Sequence, residues 1–189
     1  MDEYLVQKNK LFIAIDVPPD VQDEVERLQQ LLKESHLIHA RYPSRKQVHI
    51  TLAFLGFVNA NHIPKIKELL AHITWQLFTI SLCGINYFIK HEQITVIYLS
   101  LHSEELLALA NRIQNKLRHH NFYTETHVYI PHITLARVEK TPRPDQLKDF
   151  LKTCAIKSCA FDVSQISLKE SCKDITLVHK IIFTVSSTS

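Results

Sequence analysis

One five-residue segment occurs twice. His49-Ile50-Thr51-Leu52-Ala53 recurs as His132-Ile133-Thr134-Leu135-Ala136, 83 residues later in a chain of 189. Such an echo points to a duplicated unit rather than to two unrelated pieces of chain. Both copies sit in strand-like surroundings, Val48 to Leu55 (VHITLAFL, stopped by Gly56) and Tyr129 to Val138 (YIPHITLARV). Side chains alternate faces along a strand. His49 and Thr51 therefore share one face, and Ile50 and Leu52 share the other. His132 and Thr134 stand against Ile133 and Leu135 in the same way. The apolar residues anchor each strand, and the polar ones present an imidazole beside a hydroxyl. Arg137 lies three residues beyond Thr134 and faces away in a regular strand. A bulge or twist near the strand end would bring its guanidinium round to the same face.

The rest of the chain supplies a setting for this pair. Leu11 to Val17 (LFIAIDV) reads as a buried strand stopped by Pro18-Pro19. A helix opens at Asp20 with Val21, Val25, Leu28, Leu31 and Leu32 on one face. His62 to Ile73 has helical spacing. Trp75 to Cys83 and Ile94 to Leu101 read as strands. Ser103 caps a helix lined by Leu106, Leu107, Ala110, Ile113 and Leu117. Pro144 to Leu151 is a short helix, and Ala160 to Leu168 and Ile175 to Val185 are strands. No linker divides the chain, so residues 1–189 are expected to form one domain, with two βαβ-like units facing each other across a cleft.

Two histidines and two threonines in one cleft suit phosphodiester cleavage. That reaction requires a base for the attacking oxygen and an acid for the leaving oxygen. Imidazole serves either role near neutral pH. Threonine hydroxyls donate hydrogen bonds to the non-bridging oxygens, where charge must be held. The bland alternative makes His49 and His132 ordinary half-buried strand residues, and the repeated context argues against it. The other ten histidines, His36, His39, His62, His72, His91, His102, His119, His120, His127 and His179, have no such context and read as structural. A metal site is disfavoured, because His-x-Thr twice lacks the carboxylate or third histidine that a catalytic metal usually takes. No metal and no cofactor are therefore expected.

Other classes are excluded by what is missing. Only two glycines occur, Gly56 and Gly84, so no glycine-rich phosphate loop can be assembled. The four cysteines, Cys83, Cys154, Cys159 and Cys172, show neither zinc-finger nor Cys-x-x-Cys spacing and read as reduced thiols. The net charge of +3 is compatible with a polyanionic partner without demanding one. The acidic start MDEYLVQK is no signal peptide, and no apolar run is long enough to span a membrane. A cytoplasmic monomer without membrane contact is expected.

The paired His-x-Thr-x segments resemble the signature of the two-histidine (2H) phosphoesterases. Lys10 to Val21 (KLFIAIDVPPDV), VHITLAFLG, YIPHITLAR and Ser167 to Cys172 (SLKESC) are similar to the RNA 2',3'-cyclic phosphodiesterase, or 2'-5' RNA ligase-like, branch. The likeness covers nearly the whole chain. It implies a bilobal α+β fold, with two antiparallel sheets facing a central cleft, helices outside and a pseudo-twofold axis. It implies metal-free hydrolysis of 2',3'-cyclic phosphate ends of RNA to 2'-phosphomonoesters, with reversible 2'-5' joining as a further activity. The histidine matching His49 would be proton donor and that matching His132 proton acceptor. Thr51, Thr134 and Arg137 would hold the phosphate. Residues 82–101 depart from the branch in lacking a proline- and arginine-containing run. Tyr42, Tyr87, Phe88 and Tyr129 are candidates for stacking on bases. Two alternatives remain open: a 2'-5' oligoadenylate phosphodiesterase, and a module that binds RNA ends or nucleotides without turnover.

Overall fold

Strand β1 (Lys8–Asp16) carries the first apolar run, and Leu11 to Ile15 are all buried. The computed structural model describes residues 8–123, 125, 127–173 and 177–188. The acidic start and the first two residues of the strand expected from Ile175 lie outside them. After β1 come α1 (Pro19–Glu34), β2 (His39–Arg41), β3 (His49–Asn59), α2 (Ile63–Ala71), β4 (Thr79–Lys90) and β5 (Gln93–His102). Then follow α3 (Glu104–His119), β6 (His132–Lys140), α4 (Pro144–Thr153), β7 (Ala160–Asp162), β8 (Gln165–Lys173) and β9 (Leu177–Ser186).

The strands run in the order β7-β4-β5-β6-β3-β1-β8-β9, with β2 beside β6. All pairings between these strands are antiparallel. One lobe holds β1, β3, β8 and β9, and the other holds the remaining five. They meet where β3 and β6 pair at Ile50 and Ile133. The bilobal α+β architecture is thus present, and its two sheets are halves of one hydrogen-bonded sheet. The helices lie outside it. Helix α3 packs on β3 and α2 on α3 and β9, whereas α1 packs on β6 and α4 on β4. Each long helix therefore backs a histidine-bearing strand.

Several boundaries differ from those expected, each for a physical reason. Gly56 does not end β3. It sits inside the strand at φ +66°, where the pairing with β1 skips Leu55. A left-handed residue at a bulge favours glycine, which has no Cβ to clash. The expected strand from Trp75 starts only at Thr79, because the segment before it is held by Val163: Trp75 Nε1 donates to the Val163 carbonyl at 3.2 Å and the Val163 amide donates to the Phe78 carbonyl at 2.8 Å. Ala160 to Leu168 is two strands, since β7 pairs with β4 at one edge while β8 pairs with β1 in the other lobe. Tyr129 to Pro131 precede β6 rather than forming it. The three-residue β2 is too short to show a periodicity. In α3, Leu107 is exposed, and Leu109 and Gln114 take places on the buried face. Ser103 caps that helix as expected, accepting from the Leu106 amide at 3.2 Å.

Among the described residues no helix is long and apolar enough to cross a membrane. An added Cβ at Gly56 would meet no atom within 4 Å, so its substitution tests backbone conformation alone. Gly56→Ala is expected to lower stability by about 1–2 kcal/mol in urea unfolding. An unchanged midpoint would show that the left-handed turn is not required.

Candidate active site

The duplicated segments fold alike. Over seven residues from His49 and from His132 the order of exposed and buried positions is identical. Ile50, Leu52, Ile133 and Leu135 are fully buried. Burying such a side chain contributes roughly 1.5–3 kcal/mol, which fixes the face of each strand. The buried residue after each Leu is Ala53 or Ala136, so the alternation slips there. The register explains it. Pairing with β1 skips Leu52, and pairing with β5 skips Leu135. Each strand has a bulge at the same place. The bulge returns the residue after the alanine to the face of the histidine and threonine, which brings Arg137 into the cleft. Its counterpart in β3 is Phe54.

The cleft, of about 1050 Å³, is lined by His49, Thr51, His132, Thr134 and Arg137 together. His49 Nδ1 donates to the carbonyl of Gln47 at 2.6 Å, and His132 Nδ1 to that of Ile130 at 2.8 Å. In both cases the acceptor is the carbonyl two residues upstream. The same tautomer follows for both rings, with Nε2 left to do chemistry. Thr51 supplies its hydroxyl to His49 Nε2 at 3.0 Å. Tyr129 Oη donates to the Thr51 carbonyl at 3.0 Å, which fixes this stretch of β3 against the approach to β6.

Rings wall both imidazoles. His49 lies 5.0 Å from Phe12 and 5.2 Å from His179, centroid to centroid. His132 lies 5.1 Å from Phe88 and 5.2 Å from Tyr98. Burial disfavours the charged imidazolium and lowers both pKa values, that of His49 to about 4. The positive charges of Lys169 near His49 and Arg137 near His132 push the same way.

His179, read as structural from the sequence, lines this cleft, and its pKa is lowered by burial and by Lys169 and Arg137. Lys169 is buried and ion-paired with Asp16, which stands opposite His49 in the β1–β3 register. Lys169 lies one residue past the strand expected from Ala160 to Leu168, so the sequence carried no signal for it or for His179. Of the four aromatic candidates, Tyr42 and Phe88 line the cleft and Tyr87 and Tyr129 do not. Phe12 and Phe54 do, and these were not singled out. Among the described residues no group of three or more His, Cys, Asp or Glu side chains is arranged to hold a metal ion.

The sequence model of the 2'-5' RNA ligase superfamily matches residues 17–173. The chain belongs to that superfamily. Its resemblance to the two-histidine phosphoesterases therefore holds over most of its length. It is 30% identical over 140 residues to the RNA 2',3'-cyclic phosphodiesterase of Methanocaldococcus jannaschii, covering 74% of this chain and 78% of that one. It is 32% identical over 137 residues to the protein of the same name from Thermotoga maritima, covering 70% and 72%. In fold it is similar to Escherichia coli LigT crystallised with 3'-AMP, with a TM-score of 0.79 at 20% identity over 97% of this chain and all of that one. The superfamily fold thus accounts for both lobes.

The lowered pKa of His49 links the site to stability. Between pH 6.5 and about 4 an unfolded chain protonates this imidazole and the folded chain does not. Stability is therefore lost as pH falls through that window. His49→Gln is expected to remove part of the acid slope in thermal melts followed from pH 7 to pH 4. An identical slope in the variant would show that this imidazole stays as basic in the fold as in water.

Proposed function

We propose that this chain, acting over residues 1–189 as one bilobal domain, is a metal-independent RNA 2',3'-cyclic phosphodiesterase. The observation that carries the reading is the pair of matched imidazoles, each with Nδ1–H tied to a backbone carbonyl, in one cleft with Thr51, Thr134 and Arg137. The names of the relatives support the same substrate class. The substrate is an RNA end carrying a cyclic phosphate, in the cytoplasm, and the protein works as a monomer.

In this reading His132 Nε2 takes a proton from water as its oxygen attacks phosphorus. The bond from phosphorus to O3' breaks, and His49 Nε2 gives its proton to that oxygen. A 2'-phosphomonoester remains. With a ribose 5'-hydroxyl in place of water as the attacking group, the same transfers break the bond to O3' and make a 2'-5' linkage. Run backwards, the 3'-hydroxyl attacks that linkage, reforms the cyclic phosphate and releases the 5'-hydroxyl. Thr51, Thr134 and Arg137 hold the non-bridging oxygens, where the transition state concentrates charge. His49 is neutral in the empty cleft at pH 7, because its pKa is about 4. The arriving phosphate anion favours its charged form and loads the acid. Phe54, opposite Arg137 in the duplication, offers an apolar face for a base where the other lobe offers a cation.

His49→Ala and His132→Ala are each expected to reduce hydrolysis of a cyclic-phosphate-ended oligonucleotide by about 10²–10⁴-fold. Full activity in either would remove that residue from the reaction. Turnover is expected to survive EDTA, and loss of turnover on chelation would rule out the metal-free scheme. Both limbs of the kcat/KM profile report the free enzyme and should lie below the ordinary imidazole value of 6.5, since both pKa values are lowered. A basic limb above pH 7 would contradict this. Product binding without any turnover would leave an RNA-end binding module, and preference for 2'-5' oligoadenylate over cyclic ends would reassign the substrate.

A further inference from the structure

Each bulge that shapes the cleft leaves a backbone carbonyl without its place in the strand ladder. The skipped residues are Leu52 and Leu135, and both lie in the core. A buried carbonyl without a donor is costly, so its partner shows what fixes the bulge. The Leu52 carbonyl accepts from Gln114 Nε2 at 2.7 Å. The Leu135 carbonyl accepts from Gln29 Nε2 at 3.1 Å. Gln29 and Gln114 are each only 5% exposed. Gln29 stands ten residues beyond the start of α1, and Gln114 ten beyond the start of α3. The duplication thus extends to a second pair of residues that the repeated five-residue string does not contain.

Buried glutamine is unfavourable in a core unless its amide is used. Both occupy apolar stripes, Gln29 beside Val25, Leu28 and Leu32, and Gln114 beside Ala110, Ile113 and Leu117. Leucine there would pack as well and donate nothing. The retained amides act on the strand. Gln29 also donates to the Pro43 carbonyl at 3.0 Å, tying the turn before β3 to the back of β6.

We propose that Gln29 and Gln114 are positioning residues for the phosphodiester site. Each holds one bulge in the register that turns Arg137, or Phe54, into the cleft. The inference rests on the proposed reaction for its kinetic consequence, and on the hydrogen bonds alone for its structural one. Gln29 acts through Arg137 and so on phosphate affinity. Gln114 acts through Phe54 and the β3 face.

Methionine and alanine at position 29 separate this role from packing. Gln29→Met keeps the volume, excludes water and removes the donor from both the Leu135 and the Pro43 carbonyls. Gln29→Ala leaves room for a water, which can supply a donor. The order of kcat/KM on uridine 2',3'-cyclic phosphate is expected to be wild type, then Ala, then Met. Met should lose about tenfold, mainly through KM. A purely packing residue would reverse Ala and Met, and that order overturns the proposal. In an Arg137→Ala background the Gln29 substitution should cost less than about twofold, because its effect runs through Arg137. An equal loss in both backgrounds overturns the proposal too.

The same cycle is to be read by calorimetric binding of uridine 2'-phosphate, with folding checked by circular dichroism. If Gln29→Met does not fold, Gln29→Ala carries the cycle with Arg137→Ala. A wild-type protein that binds the nucleotide and never hydrolyses the cyclic phosphate sinks the proposed activity. The binding cycle then still decides the role of Gln29.

Discussion

Ile50 and Ile133 face each other across the register pair that joins the two lobes, and both are fully excluded from water. This contact dictates where the histidines go. Each isoleucine follows a histidine directly, so burying one at the junction points its neighbour to the opposite face. The two imidazoles then stand on the concave side of the same join. A register slip of one residue at this point would expose two isoleucines and bury two histidines. The apolar half of the repeat thus enforces the geometry that the polar half exploits.

Helices behind the sheet complete that arrangement. Helix α1 follows β1 in the chain yet packs behind β6, and α3 follows β5 yet packs behind β3. Each lobe's histidine strand is backed by a helix that leaves from the other lobe. Glu24 and Arg27 continue the connection from α1. Glu24 accepts from the Lys157 amide at 2.9 Å, and Arg27 donates to the Ala155 carbonyl at 2.8 Å. The neighbouring Arg27 and the Lys157 amide hold the buried Glu24 carboxyl below its ordinary range, against the upward push of burial. The two lobes are thereby coupled at the back as well as at the join.

The histidine and threonine faces were legible because alternation in a strand is a geometric rule, and the fully buried Ile and Leu partners obey it. Arg137 was legible only conditionally. A regular strand turns it away, and nothing in the string ITLAR shows that Leu135 will be skipped. The bulge depends on pairing with β5 and on a glutamine more than a hundred residues away in the chain. Gly56 was misread for a related reason. Glycine ends strands and also permits bulges, and only the partner strand decides between them. The strand expected from Ala160 is continuous in length, but its apolar positions shift phase between Val163 and Ile166, at the place where β7 gives way to β8. Pairing partners in different lobes break it. Gln29 and Gln114 did leave a trace, as polar residues inside an apolar helical stripe, but their acceptors lie on strands distant in sequence.

In a duplicated site, unlike surroundings bias which half donates a proton and which accepts one. The backbone here keeps the symmetry. Both imidazoles bond the carbonyl two residues upstream, both strands bulge at the same leucine, and both bulges take a glutamine. The side chains around them break it. Beside His49 stand Phe12, His179 and the buried Lys169 with its exposed partner Asp16; beside His132 stand Phe88, Tyr98 and Arg137. A buried lysine with its carboxylate is a fixed dipole, whereas a guanidinium open to the cleft is free to take a phosphate oxygen. In the proposed reaction, phosphate drawn to Arg137 would sit nearer the β6 lobe, with Phe12 and Phe54 left to face the ribose and base. In that pose a leaving ribose oxygen would lie on the side of His49. In the proposed reaction these unlike surroundings favour His49 as acid and His132 as base, with both imidazoles held in the same frame.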